Sequence, residues 1–444
     1  MKPALRTRLQ QRRPTGHHHL LTGSAVLVFG AAVQALTGSI FWLIAARLDD
    51  QTDVGNATAL YTSVLFVTYL AGLGLPVAVA RYAADRSQES DTIFSWGLAA
   101  TTVSAIGFGL AYVALVPAAA TEVLTDLHPV LGPLLFAVMV VGAAYSLVVD
   151  VRFMTMRRWN LVLIRIIAVG LVRIPILFLI PDDDHQALWL FLVATGPVAV
   201  SGFLSAGVVS RVTGGRLQLV PRPRTTRAVV RYSGVNYIST LAYQAPYFAL
   251  PVIVLANVAP AVNASFYVAW GIVSVAFYVP SAIGQALLAE GGKDGAQLRA
   301  QLRLALGLAV GLMAVGGLGA FFFSGVVETV YGPDYHDAAR ILPALMAAGV
   351  PWALTSLYLT AARVLHHHVA TVAITATLTG AIIVPALVLV PADGIDGAGR
   401  AWLIGNTVAA VVAVIASGLS RRRDDRMPSV VQPATEPVVV EPVG

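Results

Sequence analysis

Twelve apolar segments constrain this chain more than any other feature. They lie near residues 20–46, 54–80, 93–117, 130–150, 160–181, 187–209, 232–257, 261–289, 302–323, 338–361, 369–391 and 400–419. An α-helix rises about 1.5 Å per residue, so roughly 20 apolar residues cross the ~30 Å hydrocarbon layer. Lipid offers no partner to a free N–H or C=O, and a helix satisfies both within itself. Only 12% of the residues are charged, about half the ~25% of a typical soluble domain. That is too little charge to cover a water-facing surface. The reading is an all-α polytopic membrane protein with about 12 transmembrane helices.

Lysine and arginine set the orientation, because inner loops hold the excess of both. With the N-terminus inside, 24 of the 29 fall on inner segments and three, Arg47, Arg340 and Arg400, on outer loops. Both ends are basic, so both termini are placed in the cytoplasm. The acids lean outward, with 13 of 23 on outer loops. The net charge of +6 therefore sits on an inner face suited to anionic lipid headgroups, and no nucleic-acid partner is read from it. Residues 1–19 form a basic cytoplasmic tail, 20–209 an N-terminal six-helix bundle, 210–231 a basic linker, 232–420 a C-terminal six-helix bundle and 421–444 a disordered tail. Both bundles start inside, so any repeat between them is parallel. The second and eighth helices carry a faint echo: Pro76 to Arg81 and Pro280 to Gln285 are both five apart.

The chain offers little for catalysis. It has no P-loop, GxSxG, HExxH or dinucleotide fingerprint. The outer loops are short. With no cysteine, disulfides, iron–sulfur clusters and thiolate zinc sites are excluded. The histidine triplets His17–His19 and His366–His368 point their rings in different directions and read as interfacial patches rather than metal sites. No cofactor is expected. Asp150 and Glu290 fall at inner helix ends, where capping or pairing with an arginine accounts for them. Gln34, Asn56, Asn236, Gln244, Gln285 and Asn406 suit hydrogen bonds between helices. Asn263 begins an N-A-S triplet near an outer helix start.

Two arginines stand inside the fifth segment, NLVLIRIIAVGLVRIPILFLI. A charge at the bilayer centre costs about 2.5–3.5 kcal/mol by insertion scales. At 100° per residue Arg165 eclipses Arg158, and Arg173 lies about 80° round. Three readings remain open. Both could snorkel, Arg165 inward and Arg173 outward toward Asp182–Asp184. They could form a basic stripe on a wet central cavity, where guanidinium binds phosphate oxygens bidentately. Or they could belong to buried ion pairs.

ARLDDQTDVGNATALYTSVLFVTYLAGLGLPVAVARYAAD, residues 46–85, resembles the opening of polysaccharide-exporting flippases through Arg47, Gly55, Gly74 and Arg81. Residues 266–291 resemble the eighth-helix region of that family's prokaryotic members. VYGPDYHDAARIL is similar to its G-x-x-Y-x-x-A element through Gly332, Tyr335 and Ala338, and GIDGAGRAW to the G-x-x-G-A turn before the twelfth helix. The likeness spans about residues 20–420 and points to the oligosaccharidyl-lipid flippase branch of the multidrug/oligosaccharidyl-lipid/polysaccharide exporter superfamily. It implies two six-helix bundles around a central cavity that opens alternately to each side. It implies a polyprenyl-pyrophosphate-linked glycan as cargo, a plasma-membrane location, and glycan-assembly enzymes of the same pathway as partners. Arg165, Arg173, Arg81 and Arg47 would then hold phosphates or gate the two faces. Asn236, Gln244 and Gln285 would touch sugar or helix. The drug-exporting branch implies a carboxylate in the first helix, and none is present. A cation-coupled drug exporter and, less well supported, a membrane enzyme acting on lipid-linked glycans are the alternatives.

Overall fold

The computed structural model describes residues 16–72, 90–116, 122–156, 158–181, 183–212, 241–290, 295–365 and 367–424. Every regular element among them is helical. The first bundle contains α1 (Gly16–Leu48), α2 (Gln51–Ala71), α3 (Ser90–Leu115), α4 (Leu131–Thr155), α5 (Trp159–Leu177) and α6 (Gln186–Val212). The second contains α7 (Leu241–Leu255), α8 (Pro260–Glu290) and α9 (Gly295–Phe323). Its α10 is bent by 42° where His336–Ala347 meets Gly349–Val364. The helix His368–Asp424 is two spans, α11 (368–393) and α12 (395–424), because Gly394 sits between them at φ 58°, ψ −134°. That left-handed φ suits glycine, which has no Cβ to clash, and it supplies the turn expected before the twelfth helix. Short outer helices, Glu122–Leu127 and Val326–Tyr331, precede α4 and α10. The chain is thus an all-α membrane protein with the twelve-helix arrangement read from the sequence.

Helices in lipid gain little hydrophobic energy by meeting, so small residues and hydrogen bonds hold them. A Cβ on Gly202 of α6 would fall 2.0 Å from the Gly142 carbonyl of α4, so these two backbones touch. Ser63 of α2 shares a hydrogen bond with Tyr112 of α3 at 2.6 Å, and Thr102 of α3 one with Tyr145 of α4 at 2.7 Å. In the second bundle Trp352 Nε1 of α10 donates to the Phe277 carbonyl of α8 at 3.0 Å. Buried Asn406 donates to the Trp402 carbonyl one turn back at 2.8 Å. Of the residues expected to bond between helices, Asn406 thus bonds within its own helix and Gln34 is exposed.

All three outer arginines are committed. Arg340 pairs with Asp337 and Asp396, Arg400 with Asp393 at 2.8 Å, and Arg47 with backbone carbonyls described below. Positive charge occurs on this face only where it is answered locally. Because the chain is cysteine-free, single cysteines report sidedness directly. Ala392→Cys, in the exposed α11–α12 turn, should react with a membrane-impermeant maleimide in intact cells. Asn160→Cys, exposed at the inner end of α5, should react only after permeabilisation.

Candidate functional site

The two bundles meet along α1, α2, α7 and α8, and their outer ends are locked together. The tightest point is Gly55 in the first turn of α2. A Cβ there would lie 1.9 Å from the Pro260 carbonyl at the start of α8. Any other side chain would force the bundles apart. Around this contact the hydrogen bonds run from side chains to backbone. Asn263 donates to the Gly55 carbonyl at 3.1 Å. Gln51 donates to Ser265 Oγ at 2.9 Å and to the Asp334 carbonyl at 2.8 Å. Arg47 donates to the Val330 and Thr329 carbonyls at 2.8 and 2.6 Å. Those carbonyls end the helix Val326–Tyr331, where acceptors lack intrahelical donors and the helix dipole favours a cation. Arg47, expected near the outer face as a gate or headgroup ligand, bridges the two bundles there. Asn263 is buried, 4% exposed, so its N-A-S triplet is a packing element.

Deeper in the seam, aromatic rings from both bundles interlock. Trp42 of α1 meets Tyr61 of α2 and Tyr267 of α8 edge-on, at 5.8 and 5.3 Å between centroids. Tyr69 of α2 lies 4.2 Å from Phe248 of α7, and Gln244 of α7 hydrogen-bonds the Tyr69 hydroxyl. The tryptophan is buried, while Tyr61, Tyr69, Tyr243, Tyr247 and Tyr267 keep part of their surface accessible. Five tyrosines thus line the seam. Their rings offer apolar faces and their hydroxyls hydrogen bonds. Among the described residues, the acids of these four helices are confined to the ends: Asp53 on the first turn of α2 and Glu290 closing α8.

Arg173 enters this region from α5. It is 3% exposed, its guanidinium carbon lies 6.0 Å from the Phe41 ring centre, and its Nε has no hydrogen-bond partner. It pairs with no carboxylate among the described residues, and its charge is within electrostatic reach of Tyr267. It does not snorkel outward. Asp183, for its part, accepts from the His185 amide and Trp189 Nε1.

Arg165 behaves differently. Its Nε donates to Asp150 Oδ1 of α4 at 2.9 Å, its Nη2 pairs with Oδ2, and its Nη1 donates to Ser201 of α6 at 3.3 Å. The third of the open readings, the ion pair, therefore holds for Arg165, and Asp150 has the arginine partner expected of it. The two arginines do not form one stripe. Their ~80° offset is enough for α5 to turn Arg165 toward α4 and α6 while Arg173 faces α1. Arg81 and Asn236 lie outside the described residues, as does the side chain of Gln285.

Sequence reasoning missed the tyrosine seam and the Gln51–Asn263 lock. The tyrosine positions on α2 and α7, eight and four residues apart, were visible as one-face spacings, but nothing local said that the two faces meet.

No protein-family sequence profile matches the chain, and no curated protein matches it in sequence. Solved structures do match in shape. A multidrug resistance MATE family transporter of the MOP superfamily, in its inward-facing conformation, superposes with TM-score 0.69 at 16% identity over 89% of this chain and 96% of that one. The lipid II flippase MurJ in an inward closed conformation gives 0.70 at 10% identity, over 90% and 87%. The chain has the fold of these proteins. An outward-facing MATE family transporter gives 0.59 at 14% identity, over 94% and 98%.

Gly55→Val should open the outer end of the seam. Spin labels at Thr52 and Ala261, which flank the contact, should move apart in the variant relative to the parent. Asp150→Ala or Arg165→Ala each strands a buried charge and should lower stability by about 3–5 kcal/mol. Thermal melts of the two single variants and the double variant check this, and the double should recover part of the loss.

Proposed function

We propose that this chain is a membrane flippase. It moves a polyprenyl-pyrophosphate-linked oligosaccharide from the cytoplasmic to the outer leaflet of the plasma membrane by alternating access, for cell-surface polysaccharide synthesis. Arg173 carries this reading. A permanent cation held in the membrane interior, its Nε without a hydrogen-bond partner and matched by no acid among the described residues, is costly unless an anion visits it. A pyrophosphate offers the bidentate oxygens that guanidinium prefers. The tyrosines beside it suit the rest of the headgroup. Sugar hydroxyls cannot be stripped of water without new partners, and phenol hydroxyls and ring faces replace that water without adding charge. Arg47, Gln51 and Asn263 serve as the outer gate. The lipid chain stays in the bilayer.

The structural neighbours that support this reading include a lipid II flippase. Those neighbours also favour a second reading, export of small drugs by a multidrug transporter. A cationic drug would meet Arg173 as a like charge and would find no central carboxylate on the seam helices. A further role for Arg81, Asn236, Gln244 and Gln285 in holding phosphate or sugar, and docking of the enzymes that assemble the glycan, belong to the flippase proposal.

Deleting the gene should cause a complete lipid-linked oligosaccharide to accumulate facing the cytosol, with matching loss of surface glycan, as read by mass spectrometry of polyprenyl-linked species. Arg173→Gln should reproduce the deletion while the protein still inserts and melts normally. An unchanged lipid-linked pool with altered drug resistance would replace the flippase by the drug exporter.

A further inference from the structure

A second arginine meets the seam from the opposite side. Arg363 lies in the last turn of α10, at the inner end of the C-terminal bundle and far along the chain from the outer lock. It does not cap the carbonyls of its own helix. It reaches across to α7, where its guanidinium carbon stands 5.1 Å from the centre of the Tyr243 ring. That ring is a fixed platform. On its other contacts Tyr243 stacks on Trp352 at 5.9 Å and 26°, and its hydroxyl is hydrogen-bonded by Ser281 of α8. Thr379 of α11 also holds the neighbouring Ala242 carbonyl. Close by, Thr360 of α10 touches Gly284 of α8, so α7, α8 and α10 converge at this level.

The arginine is exposed, and it makes no ion pair or hydrogen bond among the described residues. Stacking uses only the π-face of the tyrosine. A cation placed over a ring keeps its N–H donors available. A guanidinium presents them as a planar fork shaped for two oxygens of one phosphorus centre. Arg173 and Arg363 differ from the other arginines described in detail above: Arg165, Arg340 and Arg400 all hold carboxylates, and Arg47 holds carbonyls.

We propose that Arg363 on Tyr243 is a second anion site, at the inner mouth of the seam, that receives a phosphate- or pyrophosphate-bearing headgroup before it reaches Arg173. The inference rests on the flippase reading for the order of the two sites. The site itself rests on a guanidinium that lies over a ring and is unpaired among the described residues. The headgroup can come from a lipid-linked cargo or from free phosphate in the cytosol, and both present the same oxygens.

The test uses the full-length protein in neutral-lipid nanodiscs, with farnesyl pyrophosphate and inorganic pyrophosphate as separate probes. Binding is read by calorimetry and folding by thermal melts. Arg363→Gln should weaken farnesyl pyrophosphate binding by tenfold or more without lowering the melting temperature, and Tyr243→Leu should weaken it as much while its melt reports the lost ring packing. Arg363→Lys should recover only part, because an ammonium neither forks nor stacks, and Tyr243→Phe should bind normally. A loss confined to farnesyl pyrophosphate supports a site for lipid-borne phosphate. An equal loss for both probes supports a site for phosphate from either source. If Arg363→Gln binds like the parent while Arg173→Gln does not, the second site is overturned and the flippase reading stands. If Arg173→Gln binds like the parent while Arg363→Gln does not, the second site stands and the Arg173 reading falls. Parent-like binding in both variants overturns both.

Discussion

Hydrocarbon gives a polar group no water to fall back on, and the organisation of this protein follows from that. Backbone groups are satisfied within helices. Hydroxyls and amides bond across helices, as Ser63 does to Tyr112 and Trp352 to the Phe277 carbonyl. Charges pair, as Arg165 does with Asp150. Against this background Arg173 and Arg363, which pair with no acid among the described residues, stand apart. Each lies on an aromatic ring, a surface that accommodates a cation without neutralising it. A site meant to bind and release an anion needs that property, because a carboxylate neighbour would compete for the guanidinium.

The outer lock is built with the same economy. Gly55 lets α2 and α8 touch backbone to backbone, and Asn263, Gln51 and Arg47 donate to carbonyls across the junction. Neutral acceptors make a contact that salt and pH affect little, since only one partner of each bond carries charge at most. The lock is also small. A few hydrogen bonds worth about 1 kcal/mol each hold it.

Much of this was legible in the sequence. The all-α class and the twelve-helix arrangement follow from hydropathy, since each span is stable as a helix on its own terms in lipid. Azimuth along α5 also separates Arg165 from Arg173 by about 80°, which left the stripe, snorkelling and ion-pair readings open. The pairing of Arg165 with Asp150, 15 residues earlier, was among the options because the two lie on neighbouring helices. Asn263 could not be read correctly, because its partner at Gly55 is 208 residues away.

Sequence by itself therefore determined the class of the protein, its topology, and which side chains carry charge into the membrane. Only the tertiary structure decided which of those charges are answered. Spans form one helix at a time, from local hydrogen bonding and burial in lipid. Whether a guanidinium meets an acid, a carbonyl or an aromatic face depends on which helices pack together and how they are rotated, and that is fixed by close contacts such as Gly55 on Pro260 and Gly202 on Gly142 between residues far apart in the chain.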